Sequence, residues 1–256
     1  MRIDVTPRPA AAGWTTRILA HGRLELTMLT RNGEQLLLTV VLPLGLLLVL
    51  VLTDIIDVGG DTRADRLAIV VPGMFALAVL STSFTALAIQ TGFERRYGVL
   101  RRIGTTPLRR IDVLTGKSLA VLVIETAQIL VLGAVGLGLG WRPDPVGVVL
   151  VVPLVLLGTA ALGALALLLA GVVRAEATLA VANLAYLALA GAGVVIPVDR
   201  APTDLQPLLE LLPSAALAES LRTATISGAV AWDLVAVLVL WAALGSAAVA
   251  RWFRWE

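Results

Sequence analysis

Six long apolar runs, separated by polar segments, constrain this chain more than any other feature. A transmembrane α-helix needs about 20 mostly apolar residues to cross the hydrocarbon layer. A membrane β-barrel would instead show segments of about ten residues with alternating hydrophobicity. The runs therefore predict an all-α integral membrane protein with six transmembrane helices. These spans cover about residues 36–52, 68–90, 113–139, 146–173, 177–197 and 234–250.

The composition agrees with a lipid environment and offers no sign of catalysis. Charged residues make up 15% of the chain and hydrophobic residues 58%, whereas soluble domains carry about 25% charged residues. No paired carboxylates, nucleophile–base pair or metal-ligand cluster is visible, so we predict no catalytic site, no metal site and no cofactor. Gly116-Lys117-Ser118 resembles the end of a phosphate-binding loop, but Ile111 occupies the position of the required earlier glycine.

The distribution of basic residues predicts the orientation of the spans. With the N-terminus in the cytoplasm, 15 of the 20 Lys and Arg residues fall on the cytoplasmic side and 5 outside. Such a bias predicts that both termini are cytoplasmic. Because the basic residues lie in segments between apolar runs, their number does not indicate nucleic-acid binding.

Two further segments are amphipathic without being long enough to span. Residues 13–34 predict a basic amphipathic helix along the cytoplasmic interface; a soluble tail is the alternative. Its only histidine, His21, is interpreted as an interfacial polar residue. Residues 198–233 predict two short helices on the outer side, separated by Pro213, that re-enter the membrane. An ordinary packed outer loop is the alternative there.

The cytoplasmic loop at residues 91–112 is the most informative segment. Its first part predicts a short charged helix from about Glu94 to Arg102, which Gly104 would end. Thr106 and Pro107 are typical of the N-cap and the first position of a new helix. The arginines help to set topology, but topology alone does not explain the ordered mixture of charged, aromatic and glycine residues.

This loop resembles that of the type-2 ABC transporter permeases, in particular drug- and antibiotic-exporter permeases of actinobacteria. The shared pattern is a stretch of acidic and basic residues, a glycine, further basic residues, Thr-Pro-Leu and a later Gly-Lys. The matching positions are Glu94, Arg95, Arg96, Gly98, Val99, Leu100, Arg101, Arg102, Thr106, Pro107, Leu108, Arg109, Gly116 and Lys117. Val99 departs from the family, which often has threonine there.

The resemblance implies a permease half-transporter in the inner (plasma) membrane. Two such chains, as a homodimer in the lipid bilayer, would bind two cytoplasmic ABC ATPase subunits, which hold the ATP and Mg. The predicted coupling residues are Glu94, Arg95, Arg96, Tyr97, Gly98, Arg101 and Arg102. The family's outer hairpin implies gate candidates at Leu212, Pro213 and Glu219.

Polar residues inside the predicted spans are candidates for a substrate path. Glu125 and Gln128 lie three residues apart, so they share a helix face, and an ionisable residue inside a membrane is costly. Ser81 and Thr85 belong to a polar strip in the second span. The family implies export of a drug-like or lipid-like substrate by alternating access. A lipid-linked glycan exporter, a lipid-modifying membrane enzyme and a membrane scaffold are alternatives.

Overall fold

The computed structural model describes residues 12–31, 33–53, 58–60 and 62–253. Within those residues the regular structure is entirely helical, as the apolar runs predict. The α-helices are α1 (Trp14–Arg31), α2 (Gly33–Leu52), α3 (Arg63–Val79), α4 (Leu87–Arg96), α5 (Val99–Ile103), α6 (Arg110–Leu139), α7 (Pro145–Val172), α8 (Ala175–Leu189), α9 (Gln206–Glu210), α10 (Pro213–Ser227) and α11 (Trp232–Trp252).

Five helical stretches in the described part of the chain are long and apolar enough to cross a membrane. They are Arg63–Arg96, Arg110–Leu139, Pro145–Val172, Ala175–Val194 and Trp232–Trp252. Each contains most of one predicted span. The first predicted span, residues 36–52, falls within α2, whose described apolar part, Val40–Leu52, is shorter. Residues 1–11, which precede the predicted interfacial helix, lie outside the described residues.

The stretch Arg63–Arg96 is the central helix of the bundle. It contains α3, a π-helical segment at Leu80–Ala86 and α4. Its most apolar part is 83% buried, against 22% for Ala175–Val194 and for Trp232–Trp252. The central helix therefore packs against protein on nearly all sides, whereas α8 and α11 leave broad apolar faces uncovered.

The helix α1 packs against the bundle. Ile18, Gly22 and Leu29, which recur at helical spacing, are buried, whereas Leu19 is exposed. Gly22 lies against Gly116 of α6: a Cβ on Gly116 would come within 2.6 Å of the His21 Cδ2 atom. Small residues at both positions therefore allow the two helix backbones to approach closely.

The predicted coupling segment differs from expectation in its helix boundaries. The predicted helix Glu94–Arg102 is interrupted, because Gly98 adopts a left-handed conformation with φ 69° and separates α4 from α5. The following helix starts at Arg110 rather than Pro107. Thr106 Oγ1 does not cap it but donates a hydrogen bond to the Ile103 carbonyl.

The outer segment contains two short helices, as predicted. The first, α9, spans Gln206–Glu210. The second, α10, begins at Pro213, with Leu212 at its N-cap. Much of α10 lies in the core against α3, α7 and α11.

Candidate functional site

The predicted coupling segment presents one exposed face, formed by Arg96, Tyr97, Arg101 and Arg102. Tyr97 is 65% exposed. Its ring stacks on Phe93 with a centroid separation of 6.0 Å and an interplanar angle of 22°. The Arg96 guanidinium lies 5.8 Å from the centre of the Tyr97 ring. We call these four residues the docking face; it consists of three basic side chains and one aromatic ring, all exposed.

Arg95 points away from the docking face and binds the end of α7. Its guanidinium donates hydrogen bonds to the carbonyls of Ala170 (2.8 Å) and Val173 (2.9 Å). The last carbonyls of a helix have no partner within the helix, so Arg95 satisfies two of them. Arg96 forms an ion pair with Glu176 near the start of α8. These two arginines attach the coupling segment to the α7–α8 turn.

Behind the docking face, a buried lysine joins three helices. Lys117 Nζ of α6 lies 2.9 Å from Glu25 Oε1 of α1 and 2.6 Å from Glu94 Oε2 of α4. Gln90 Nε2 donates to Glu25 Oε2 at 2.7 Å and to Glu94 Oε1 at 2.9 Å. We call Glu25, Gln90, Glu94 and Lys117 the buried charge network. Removing water from charges is costly unless they are paired and hydrogen-bonded, and this arrangement supplies both.

His21 lies at the edge of the network. Its Nε2 atom is 3.2 Å from Glu25 Oε1. Burial lowers the pKa of His21 below its usual value, although the nearby Glu25 charge opposes the shift; the Lys117 charge adds to it. Burial therefore favours the neutral imidazole. Among the described residues, no group of three or more His, Asp and Glu side chains could hold a metal ion.

Asp112 forms a second buried connection to α1. It is fully buried, and its Oδ2 atom accepts hydrogen bonds from Arg17 Nε at 2.9 Å and from the Arg109 backbone N–H at 3.0 Å. The second bond fixes the start of α6, which is why that helix begins three residues after Pro107. Asp112 therefore holds both the first turn of α6 and the first turn of α1.

Three polar contacts connect the central helix, α6 and α7 within the apolar region. Ser83 Oγ donates to Glu125 Oε1. Thr159 Oγ1 of α7 donates to Glu125 Oε2 at 2.6 Å. Thr82 Oγ1 donates to Gln128 Oε1 at 3.0 Å. All five side chains are buried, so the polar groups of α6 are satisfied inside the bundle.

An arginine on α10 binds the irregular end of the α8 stretch. Helical geometry is lost at Ala192 and at Gly193, which has φ 93°. Arg222 donates to the carbonyls of Gly193 (2.8 Å), Val194 and Ile69 (3.2 Å). It also contacts Glu219 Oε1 at 2.7 Å.

The carboxylate of Glu219 has a second partner just beyond the irregular segment. Its Oε1 atom accepts a hydrogen bond from the Val198 backbone N–H at 2.9 Å. Arg222 and Glu219 therefore hold α10 against the α3 and α8 stretches.

The sequence matches the family model described as ABC-2 family transporter protein over residues 54–252. The chain belongs to the ABC-2 transporter family. It is thus a multi-pass membrane protein and the permease subunit of an ABC transporter, which associates with ABC ATPase subunits. A search of curated proteins gave no match.

Within this ABC-2 permease, the structure divides the predicted coupling residues into two groups. Tyr97, Arg101 and Arg102 face outward, whereas the Glu94 and Arg95 side chains bind other parts of the bundle. Arg96 belongs to both groups, since it is exposed and also pairs with Glu176, and Gly98 forms the break between α4 and α5. The sequence did not single out Glu25 or Asp112. Glu25 lies 92 residues from Lys117, so only tertiary packing brings them together.

The predicted substrate-path residues are also separated. Glu125 and Gln128 contact Ser83 and Thr82, while the predicted Ser81 and Thr85 do not join them. Thr82 and Ser83, which contact α6, are successive residues, and in a regular α-helix such neighbours point about 100° apart. Both lie in the π-helical segment Leu80–Ala86, where the angular spacing of side chains differs from that of an α-helix. Thr159, whose hydroxyl also donates to Glu125, had no distinguishing feature in the sequence.

The predicted gate residues lie at and within α10. Leu212 is its half-buried N-cap, and Pro213 is its buried first residue. Arg222 was missed as a partner of Glu219, although the two lie three residues apart on one helix.

Proposed function

We propose that this permease exports a hydrophobic or amphipathic substrate, drug-like or lipid-like, from the cytoplasm or the inner leaflet. Two copies form a homodimer in the plasma membrane, with six spans each and both termini in the cytoplasm. Two ATPase subunits bind ATP and Mg and contact the docking faces. Closure of the ATPases then switches the dimer between inward-facing and outward-facing states.

The observation that carries this proposal is the division of the coupling segment into an exposed and a buried side. Arg101, Arg102 and Tyr97 are exposed and available to a partner. Three residues before Tyr97, Glu94 contacts Lys117 in the buried charge network. A force applied to α5 is therefore transmitted through α4 to α6 and α1. A flexible loop would dissipate the same force.

The buried contacts explain how a small movement can reach the membrane helices. Lys117 joins α4 to α1 and α6, and Arg95 joins α4 to the end of α7. ATP changes the equilibrium only to the extent that the ATPase binds one permease state better than the other. The docking face supplies that differential contact, and the buried network connects it to the spans.

A charge reversal on the docking face tests the proposal. The variant Arg101→Glu/Arg102→Glu changes two exposed side chains, so the permease should fold normally. We expect it to lose association with its ATPase and to lose ATP-dependent transport in proteoliposomes. The matched control is Arg142→Glu, an exposed charge reversal in the turn between α6 and α7, at the other end of the bundle.

The outcomes separate the proposal from its rivals. Loss of ATPase binding in the docking-face variant, with normal binding in the Arg142→Glu control, supports the assignment. Normal ATPase binding and normal transport by a folded docking-face variant would reject α5 as the coupling helix. Release of a chemically altered lipid without net transport would favour a lipid-modifying enzyme instead.

A further inference from the structure

A cleft of about 490 Å³ lies between α6, α7 and α11. Along α6 it extends from Ile111 to Leu122, which is about 16 Å at the helical rise per residue. Small-molecule pockets have volumes of roughly 300–1,000 Å³. The cleft therefore has room for an elongated small molecule.

The wall of the cleft is mostly apolar and carries no charge. Leu114, Val121 and Leu156 are typical of its lining residues. Among the described residues, no charged side chain lines the cleft. Burial of apolar surface is favourable, whereas moving a charged group from water into such surroundings is costly. The cleft is therefore suited to an uncharged, mainly apolar molecule.

The deep end of the cleft carries a pair of hydroxyls. Ser83 and Thr159 line it there, and they contact the two carboxyl oxygens of Glu125. Glu125 is fully buried, with no cation beside it in the described part of the chain, so its neutral form is favoured. A neutral carboxyl can itself donate in one of these contacts, which leaves the hydroxyl in that contact free to donate to the cleft. The deep end thus offers both a donor and an acceptor.

A second set of hydroxyls lines the cleft nearer to the start of α6. Its members are Thr115 and Ser118 of α6 and Ser246 of α11. None of the three hydroxyls forms a hydrogen bond with another described residue. By contrast, the hydroxyl of Thr126, outside the cleft, donates to a carbonyl of its own helix. The second set is therefore available to a ligand.

Helical spacing gives the separation between the two sets on α6. Ser118 and Thr115 precede Glu125 by seven and ten residues, which corresponds to about 10 and 15 Å along the helix axis. The two polar ends of the cleft are thus separated by an apolar stretch that is longer than one hydrogen-bonding group can bridge.

Ser246 lies on the same side of the deep end as the α6 hydroxyls. Its neighbour Gly245 packs against α7 at Ala164, where an added Cβ would come within 2.8 Å of the Ala164 Cβ atom. Ala164 follows Thr159 by five residues, about 8 Å along the helix axis. Because α7 runs antiparallel to α6, this displacement leads back toward the start of α6.

We propose that this cleft binds uncharged, mainly apolar molecules that carry a hydrogen-bonding oxygen group at each end, about 10–15 Å apart. One end group pairs with Ser83 and Thr159, and the other with the second set of hydroxyls. The apolar body packs between α6, α7 and α11. A molecule with one polar end leaves one set without a partner, and a charged end finds no counter-ion.

The site deepens the proposed export function by naming the chemical class of its substrate. Transport of the ligand rests on that function, whereas binding does not. The cleft lies along three apolar stretches, Arg110–Leu139, Pro145–Val172 and Trp232–Trp252, so a mainly apolar molecule reaches it from the bilayer.

Binding is tested on the permease alone in nanodiscs at pH 7, by displacement of radiolabelled decanediol, the unbranched chain with a hydroxyl at each end. The signal from empty nanodiscs is subtracted. Competitors are decanediol, decanol, decyltrimethylammonium and decyl sulfate, compared at equal concentration in the membrane. We expect decanediol to compete about tenfold better than decanol, which lacks the hydrogen bonds at one end. The two permanently charged probes should compete least.

Two variants and a control locate the site. The triple variant Thr115→Val/Ser118→Ala/Ser246→Ala removes the second set and should abolish the advantage of decanediol over decanol. It should fold normally, because these hydroxyls hold no other described residue. Thr159→Val removes one hydroxyl at the deep end and should weaken decanediol binding about tenfold. Thr126→Val is the control, because that hydroxyl is exposed and bonds to its own helix at Leu122.

Several results would overturn the inference. Equal competition by all four probes would show unspecific apolar binding, and equal competition by decanediol and decanol would reject the second polar end. Unchanged decanediol affinity in a folded triple variant would place the ligand elsewhere. Size-exclusion profiles and circular dichroism establish folding; if Thr159→Val fails to fold, the triple variant still decides.

ATP-dependent efflux of decanediol by the permease with its ATPase separates this inference from the proposed function. Specific binding without efflux would reject export and retain the site. Efflux combined with unchanged binding in the triple variant would reject the site and retain export.

Discussion

Replacing Lys117 by methionine should destabilise this permease more than any single substitution on its exposed surface. Methionine keeps most of the side-chain volume and removes the charge. Lys117 lies within 2.9 Å of carboxylate oxygens from both Glu25 and Glu94, and its side chain is 2% exposed. The variant therefore leaves two buried carboxylates facing each other without their shared cation.

The magnitude follows from the geometry. Both carboxylate oxygens contact the same nitrogen, so they lie less than about 6 Å apart. At an effective dielectric constant of about 20, two like charges at that distance repel by about 3 kcal/mol. Removing one partner of a buried ion pair typically costs about 3–5 kcal/mol. We therefore expect Lys117→Met to lower the free energy of unfolding by about 3–5 kcal/mol.

The assay is reversible unfolding in mixed micelles, followed by far-ultraviolet circular dichroism as the fraction of denaturing detergent is raised. Arg101→Met is the matched control, since it also removes one cation but lies on the exposed face of α5. It should change the free energy of unfolding by less than about 0.5 kcal/mol. The triple variant Glu25→Gln/Glu94→Gln/Lys117→Met removes all three charges and should recover much of the lost stability.

Non-additivity is the decisive signature of the network. In a Glu94→Gln background, Lys117→Met leaves one carboxylate rather than two, so it should cost about 1–3 kcal/mol less than in the wild type. Equal costs in both backgrounds, or a cost for Lys117→Met no larger than that of Arg101→Met, would refute the reasoning about shared charge.

Three further predictions concern other contacts. Gly116→Ala should lower the unfolding free energy by about 1–3 kcal/mol, because its Cβ would lie 2.6 Å from the His21 ring; no loss in the same detergent titration would contradict the close α1–α6 contact. Arg222→Leu should lower the unfolding free energy by about 3 kcal/mol, since three backbone carbonyls and Glu219 lose their donor. Faster proteolysis after Gly193 would report the loosened segment. Because burial lowers the pKa of His21, the unfolded chain binds the extra proton as pH falls below 6.5. Stability should thus be full above pH 6.5 and decline as pH falls through the folded-state pKa. His21→Gln should reduce this decline between pH 7.5 and 5.5. Identical pH profiles of stability for the variant and the wild type would disprove the contribution of His21.

Local pattern was sufficient to place several elements. The spans are long unbroken apolar runs, so the helices α6, α7 and α11 begin and end within a few residues of their predicted limits. The amphipathic pattern of residues 13–34 predicted α1. The resemblance at residues 91–112 also predicted the right family, which the match over residues 54–252 confirms.

Helix breaks were harder to predict because competing local preferences, and one contact distant in sequence, decide them. Gly98 ends α4 with a left-handed conformation, although the surrounding charges suit a continuous helix. Asp112 sets the start of α6 by accepting from Arg109, and that choice is reinforced by Arg17 of α1. A local preference of Thr106 and Pro107 for a helix start was overridden.

The sequence by itself determined that this chain folds as membrane helices, because apolar runs of sufficient length have few other stable structures in lipid. It also marked the basic coupling segment. Only the tertiary structure decided which polar side chains pair: Lys117 with Glu25 and Glu94, and Glu125 with Ser83 and Thr159. A buried polar group must find a partner wherever packing supplies one, and that partner is set by helix register and crossing, which sequence spacing does not encode.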